Sequence, residues 1–266
     1  MRILFPLLMV AAAAAQEPFS KHFFEVKQYS DEENQAIVKK FHGLRVTDVV
    51  DGLDMAGLQD VTVMDPQIGP LWRDERRFTH RIYGVAVTLR LVPPQERAPI
   101  APSRAEFDKW KAGWTRRLLP KGLAMQIKPD TILVIDASRT KDVGFCGSNN
   151  TLGWVARGLR GVVTDGGCRD SDEMILERIP VYLRDSTRGW NQGRVAIESY
   201  NAPVNVGGVL VMPGDIIVAD TDGVAVVPRA KAEVVAAGAH SIQDGDTKTR
   251  RKLYQKLNRP PDFTVK

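Results

Sequence analysis

Cysteine is scarce in this chain: two residues in 266, Cys146 and Cys168. Two thiols cannot supply a structural zinc site. They either form one disulfide in an oxidising compartment or remain two small buried thiols. Histidine is nearly as sparse. His22, His42, His80 and His240 are scattered, and no two have metal-ligand spacing. After residue 15 no stretch is long and apolar enough to span a bilayer, so a membrane partner is not expected. There is no internal repeat, no low-complexity linker and no long block of Lys or Arg. The net charge of +5 and pI near 9.2 suit an anionic substrate without arguing for nucleic acid. No glycine-rich nucleotide loop follows the first strand, which removes the usual support for nucleotide-dependent methyl transfer.

What is present begins with a leader-like segment. Arg2 is followed by an apolar run at 3–10 and five alanines at 11–15. This is the pattern of a secretory signal peptide cut near Ala15, so the chain is expected to be exported, periplasmic or secreted. An uncleaved anchor is the alternative. Residues 16–266 are then expected to form one domain, and 43% hydrophobic residues allow it a sizeable core.

Helices are expected at 30–42, capped by Ser30 or Asp31, and at 46–58, capped by Thr47. Residues 58–64 begin the sheet region, and 82–92 alternate as a half-buried strand does. A proline-rich feature at 93–121 carries a helix capped by Ser103. Phe107, Trp110, Trp114 and Leu118 share one face of it, either as a lid or as packing against the body. Residues 132–136 form an apolar strand, 151–157 a helix ended by Gly158, 172–178 a helix and 181–183 a strand. Short strands follow at 195–199, 203–206, 209–212, 216–219 and 224–227. Gly207-Gly208 and the acids Asp220 and Asp222 stand at turns between them. A helical region runs from 231 to 257.

The chain is organised around residues 161–170. Val162 and Val163 end a buried strand in this reading, and Asp165-Gly166-Gly167 makes a tight turn braced by Asp165. Arg169 and Asp170 follow. A guanidinium beside a carboxylate can hold a small anion next to a hard cation such as Mg2+. A solvated turn whose Arg and Asp pair with each other is the competing reading. Upstream, Gly147, Ser148, Asn149 and Asn150 open a helix. Its free backbone N–H groups favour a bound carboxylate or phosphate. A strand-loop-helix-strand unit can place that helix start and the end of the next strand on one sheet edge.

These residues carry a resemblance. Gly147-Ser148-Asn149-Asn150 and the run from Arg157 to Asp170 are similar to the signature of one family. That family comprises the class II 4-hydroxy-4-methyl-2-oxoglutarate aldolases and the regulator of ribonuclease E activity A, and many members are labelled demethylmenaquinone methyltransferase. The likeness extends to residues 46–53, 207–209 and 220–224, and covers about 35–235. It implies an α/β fold, an α/β/β/α swivelling-domain sandwich with N- and C-terminal helices, assembled as a homotrimer or dimer of trimers. It implies Arg169 and Asp170 as catalytic residues. Arg169 and the loop from Gly147 to Asn150 would bind the substrate carboxylate, and Asp170 would hold Mg2+ or Mn2+. The activity implied is retro-aldol cleavage of a small oxo-acid to pyruvate through a metal-stabilised enolate, with oxaloacetate decarboxylation as a second activity. A non-catalytic, protein-binding regulator is the alternative.

Three features depart from the family pattern. The usual loop reads Gly, an acid and two leucines, whereas this chain has Ser148, Asn149 and Asn150. Serine without a partner is a poor general base. The Trp-bearing insertion at 93–121 and the leader are the other two.

Overall fold

The computed structural model describes residues 23–100, 103–118, 126–137, 140 and 142–266. The leader-like segment therefore lies outside the described residues, as does part of the 93–121 insertion. Four strands run parallel at the centre: β2 (Ile82–Val92), β3 (Thr131–Asp136), β5 (Leu159–Cys168) and β6 (Val181–Ser186), in the order β6-β5-β3-β2. Short β4 (Gly144–Cys146) lies parallel to the last residues of β5. β7 (Ala196–Tyr200) runs antiparallel to the second half of β2. β10 (Ile216–Asp220) and β11 (Gly223–Val227) continue the sheet antiparallel beyond the first half of β2.

One strap brings the two ends of this sheet together. Val63 bridges Ala225 of β11, and a few residues later β1 (Gly69–Pro70) pairs with Leu183 and Tyr182 of β6. The sheet is thus nearly closed, with helices around it. Inside sit Ile132, Val134, Val163, Tyr182 and Ile217, covered by a hairpin of β8 (Val204–Val206) and β9 (Val209–Val211). Outside, Leu133, Ile135 and Val162 pack with Met174. Burial on both faces explains why β3 is almost wholly apolar rather than alternating.

The helices follow from local signals. Ser30 caps α1 (Asp31–Lys39) through a reciprocal pair, its hydroxyl accepting from Glu33 N at 3.2 Å and its own N–H donating to the Glu33 carboxylate at 2.7 Å. The cap of α2 (Val46–Met55) differs from expectation. Arg45, not Thr47, occupies the N-cap, because buried Asp48 reaches back to accept from Arg45 N at 2.9 Å. The last helix, α6 (Ala232–Lys256), crosses α2 closely; a Cβ on Gly52 would lie 2.5 Å from Val235 O. Residues 257–266 fold back on α6, with Arg251 Nε donating to Val265 O at 2.7 Å. Residues 58–62 are turn rather than strand, and the bridge at Val63 is where sheet pairing starts.

The aromatic helix, α3 (Arg104–Leu118), is anchored to the body. Trp114 is buried and its indole N–H donates to Val195 O at 3.2 Å, while Phe107 stacks on Trp190 at 4.8 Å. Among the described residues no helix is long and apolar enough to cross a membrane.

Candidate functional site

The 161–170 segment folds differently from a strand followed by a glycine turn. Strand β5 continues through Asp165-Gly166-Gly167 to Cys168, with a register irregularity between Thr164 and Gly167. The glycines serve close packing instead of turning. A Cβ on Gly166 would lie 2.6 Å from Ala137 Cβ, and one on Gly167 would overlap the Thr187 side chain. Asp165 does not brace its own turn; its carboxylate accepts from Ala137 N at 2.8 Å, tying β5 to the end of β3. The chain turns at Asp170, whose φ of 59° and ψ of 45° are left-handed, and which N-caps α5 (Ser171–Leu176). Gly167→Ala is expected to cost about 1–3 kcal/mol by overpacking, measured as a fall in the urea midpoint at unchanged m-value.

Burial raises the pKa of the Asp165 carboxyl, partly offset by the Ala137 N–H. The native state then binds a proton more tightly than the unfolded chain. Its stabilising share is full below the ordinary aspartate value of about 4 and is lost as pH rises through the raised one. Urea unfolding of wild type and Asp165→Asn from acid to neutral pH checks this. Wild type should lose stability relative to the variant as pH climbs through that window.

Four of the expected site residues converge. Gly147 N-caps α4 (Ser148–Val155), and Ser148 N donates to Asp170 Oδ2 at 3.2 Å. Arg169 Nε donates to Asp170 Oδ1 at 3.1 Å. Arg169 N is held by Cys146 O at 2.9 Å, which fixes the turn against β4. Two glycines permit the approach: a Cβ on Gly147 would stand 2.6 Å from Asp170 Oδ2, and one on Gly144 2.7 Å from Arg169 Cβ. Arg169 and Asp170 are each one-third exposed, at the carboxyl edge of the parallel strands where ligands of open α/β sheets bind. Asn149 and Asn150 lie in the first turn of α4 and are exposed. They do not close over Arg169 within one chain.

The geometry leaves both readings of the Arg-Asp pair open. The pair does bond internally, and the helix N-terminus that could receive a substrate carboxylate holds the chain's own Asp170 carboxylate. Each Asp170 oxygen has one donor and keeps a lone pair for a further partner. Among the described residues no group of three or more His, Cys, Asp or Glu could cage a metal ion. A lone carboxylate fits a largely hydrated Mg2+, which takes one or two carboxylates and keeps its waters.

Cys146 and Cys168 are both buried, free thiols opposite each other on β4 and β5. The hydrogen bond with Cys168, then burial, pushes the Cys146 thiol well above its usual value. Asp220 is the turn former expected, accepting from Asp222 N at 2.9 Å, and it also accepts from Val46 N at 3.0 Å to seat α2. His80 is a satisfied buried residue, with Nδ1 accepting from Asp74 N at 3.0 Å and Nε2 paired with the Thr221 hydroxyl.

Sequence reasoning missed two supports of the site. Thr187 N donates to Cys168 O at 2.8 Å and its hydroxyl donates to the same oxygen, locking the end of β5. Arg184 donates to Asp165 O at 3.3 Å while its fork engages Asp65 and Gln67 from the strap. Both lie in or just past β6, and only the pairing of β6 with β5 brings them in.

The RraA-like family model (Aldolase/RraA) matches residues 46–226, which span both halves of this cluster. The chain belongs to the RraA-like family. A Halalkalibacterium halodurans protein provisionally named 4-hydroxy-4-methyl-2-oxoglutarate aldolase is 32% identical over 129 residues, 48% of this chain and 60% of that protein. A Burkholderia mallei protein with the same provisional name is 38% identical over 104 residues, 38% of this chain and 61% of that protein. The matched part of this RraA-like chain therefore spans about 60% of each relative's length. The crystal structure of Streptomyces coelicolor RraAS2, described as an unusual member of the RNase ES inhibitor RraA protein family, superposes with a TM-score of 0.66 at 23% identity. It covers 85% of this chain and all of that one. That likeness carries the fold: a nearly closed mixed sheet with flanking helices, the swivelling-domain class expected from the resemblance.

Proposed function

We propose that this RraA-like chain is a divalent-metal-dependent lyase that converts a small oxo-acid to pyruvate. The observation that carries the reading is the convergence of Arg169, Asp170 and the Gly147-Ser148 helix start on one partly exposed edge. The provisional aldolase names of the relatives support the reaction class.

Arg169 presents a planar fork that can grip a carboxylate and an adjacent oxo oxygen together. The amides of Ser148, Asn149 and Asn150 receive the far end of the same carboxylate once Asp170 swings off Ser148 N. Asp170 would hold Mg2+ or Mn2+ through a carboxylate oxygen. The cation, when bound, withdraws electrons from the oxo oxygen and favours negative charge there. Arg169 stabilises the same charge as it develops.

The loop residues decide which bond breaks readily. Aldol cleavage needs a base to take the proton from the substrate hydroxyl, and Ser148 stands where the family has an acid. Decarboxylation needs no such base: the bond to carbon dioxide breaks, its electron pair moves towards the oxo oxygen, and water returns a proton to carbon. Oxaloacetate is therefore turned over faster than a 4-hydroxy-2-oxo acid in this reading. We further propose that the exposed edge is closed by a neighbouring copy in a homotrimer or dimer of trimers, and that the chain acts outside the cytoplasm. Export would separate it from a cytoplasmic ribonuclease.

The test is pyruvate release from a panel of 2-oxo acids, with Mg2+ or Mn2+ and with chelator. Metal-dependent release is expected, greatest with oxaloacetate. No turnover of any acid with metal present overturns the proposal. The loss of the loop acid favours a non-catalytic protein-binding regulator as the second reading. It predicts no turnover and specific capture of a protein partner that survives Asp170→Ala.

A further inference from the structure

A second concave site lies at the other end of the sheet. Arg81 and Tyr83 stand at the start of β2, whereas Arg169 follows the carboxyl end of parallel β5. Here the loop before β2, the α1–α2 connection, α6 and the C-terminal tail enclose a cavity of about 650 Å3. That volume suits a small organic molecule. Much of its wall comes from residues 243–266, beyond the family match at 46–226.

Its charge is unbalanced. Arg45 is already neutralised, bound by Asp48 and, at 2.6 Å, by Asp246. Arg81 approaches Asp220 only at 3.9 Å and lies over the Phe78 ring at 4.4 Å. Arg250 bonds a neutral partner, the Thr264 hydroxyl, at 3.0 Å. The Arg77 guanidinium has no carboxylate within ion-pair distance among the described residues. Lys266 also lines the cavity, and beyond Asp246 the remaining acidic side chain of the lining is Asp244. Phe78 and Phe263, 5.2 Å apart, add an aromatic wall. Three arginines lining one partly enclosed space beside aromatic faces favour an anion with more than one charge and a flat or apolar body.

We infer that this cavity binds a small multivalent organic oxyanion at a site separate from Arg169 and Asp170. Carboxylate and phosphate groups share the required chemistry, and arginine forks accept either. The inference stands whether or not the chain is a lyase.

Calorimetric titration of the full chain at low ionic strength, without metal, tests it with three probes: citrate, pyrophosphate and phthalate. Each is titrated into wild type and into Arg169→Ala, so that any binding at the other edge is removed. Saturable binding of at least one probe, with one site per chain and equal strength in both proteins, is expected. Citrate against pyrophosphate separates carboxylate from phosphate preference, and phthalate reads the aromatic wall. Arg77→Ala and Arg250→Ala should each weaken binding about tenfold or more. Arg250→Ala also releases Thr264, so Arg77→Ala, whose side chain holds no structural partner, decides the matter. No saturable binding of any probe, or binding that Arg77→Ala leaves intact, overturns the inference.

Discussion

In the proposed lyase, Arg169→Ala is expected to lower kcat/KM for the oxo-acid about 100- to 1000-fold, the cost of roughly 3–4 kcal/mol for removing one preorganised donor to a developing oxyanion. Both kcat and KM are expected to change, because in the proposed reaction the same guanidinium would bind the ground-state carboxylate and stabilise the developing charge. Arg169→Lys recovers part of the binding but little of kcat, since an ammonium lacks the planar fork. The folded state tolerates the change. The Arg169 side chain is one-third exposed and donates a hydrogen bond to its neighbour Asp170. Steady-state kinetics with unfolding curves of both variants check the claim. A drop in kcat/KM that tracks lost stability would place Arg169 in the scaffold instead.

Trp114→Ala has the largest expected effect on stability, about 3–5 kcal/mol. Trp114 is 1% exposed and is the one buried residue of α3. Its removal deletes the aromatic filling and leaves Val195 O without its indole donor. The neighbouring contacts, Phe107 on Trp190 and Trp110 on Trp114, then lose their support. Urea unfolding should show the loss, and hydrogen exchange should show α3 opening at lower free energy than the parallel strands. α3 rests on Trp190 and Val195, and the adjoining Gly189 O accepts from Gly144 N at 2.8 Å on the flank of Arg169; if α3 only packs, kcat of the folded variant should stay near wild type. A fall in kcat at full folding would restore the idea of a lid over the pocket.

Strands and helix caps were legible in the sequence where their signals are local. The expected bounds 82–92 match β2 to the residue, although β2 is buried on both faces over 84–89 and not the half-buried alternating strand expected. Ser30 and Ser103 each stand three residues before a glutamate, Glu33 and Glu106, and both hydroxyls accept the expected backbone N–H. The Arg169-Asp170 pair and Gly147 were legible as a motif, and the fold brings them together. What misled was chemistry that depends on distant partners. Glycine pairs ordinarily announce turns, but Gly166 and Gly167 make room for Ala137 and Thr187 from neighbouring strands. Asp165 looked like a local brace because its Ala137 partner is 28 residues away. Thr47 looked like a cap because nothing nearby shows that Asp48 is buried and bonded back to Arg45. Arg77 and Arg81 line a cavity only because α6 and the C-terminal tail, far away in sequence, fold beside them.

The central claim is that Arg169, Asp170 and the α4 N-terminus form one site for an oxo-acid and a cation. A crystal structure of the full chain soaked with Mg2+ and oxalate tests it most directly. The account predicts oxalate on the Arg169 fork, one carboxylate against the Ser148 to Asn150 amides, and Mg2+ joined to Asp170 through oxygen or water. Oxalate bound elsewhere, with Asp170 still seated on Ser148 N and no cation beside it, would contradict the account.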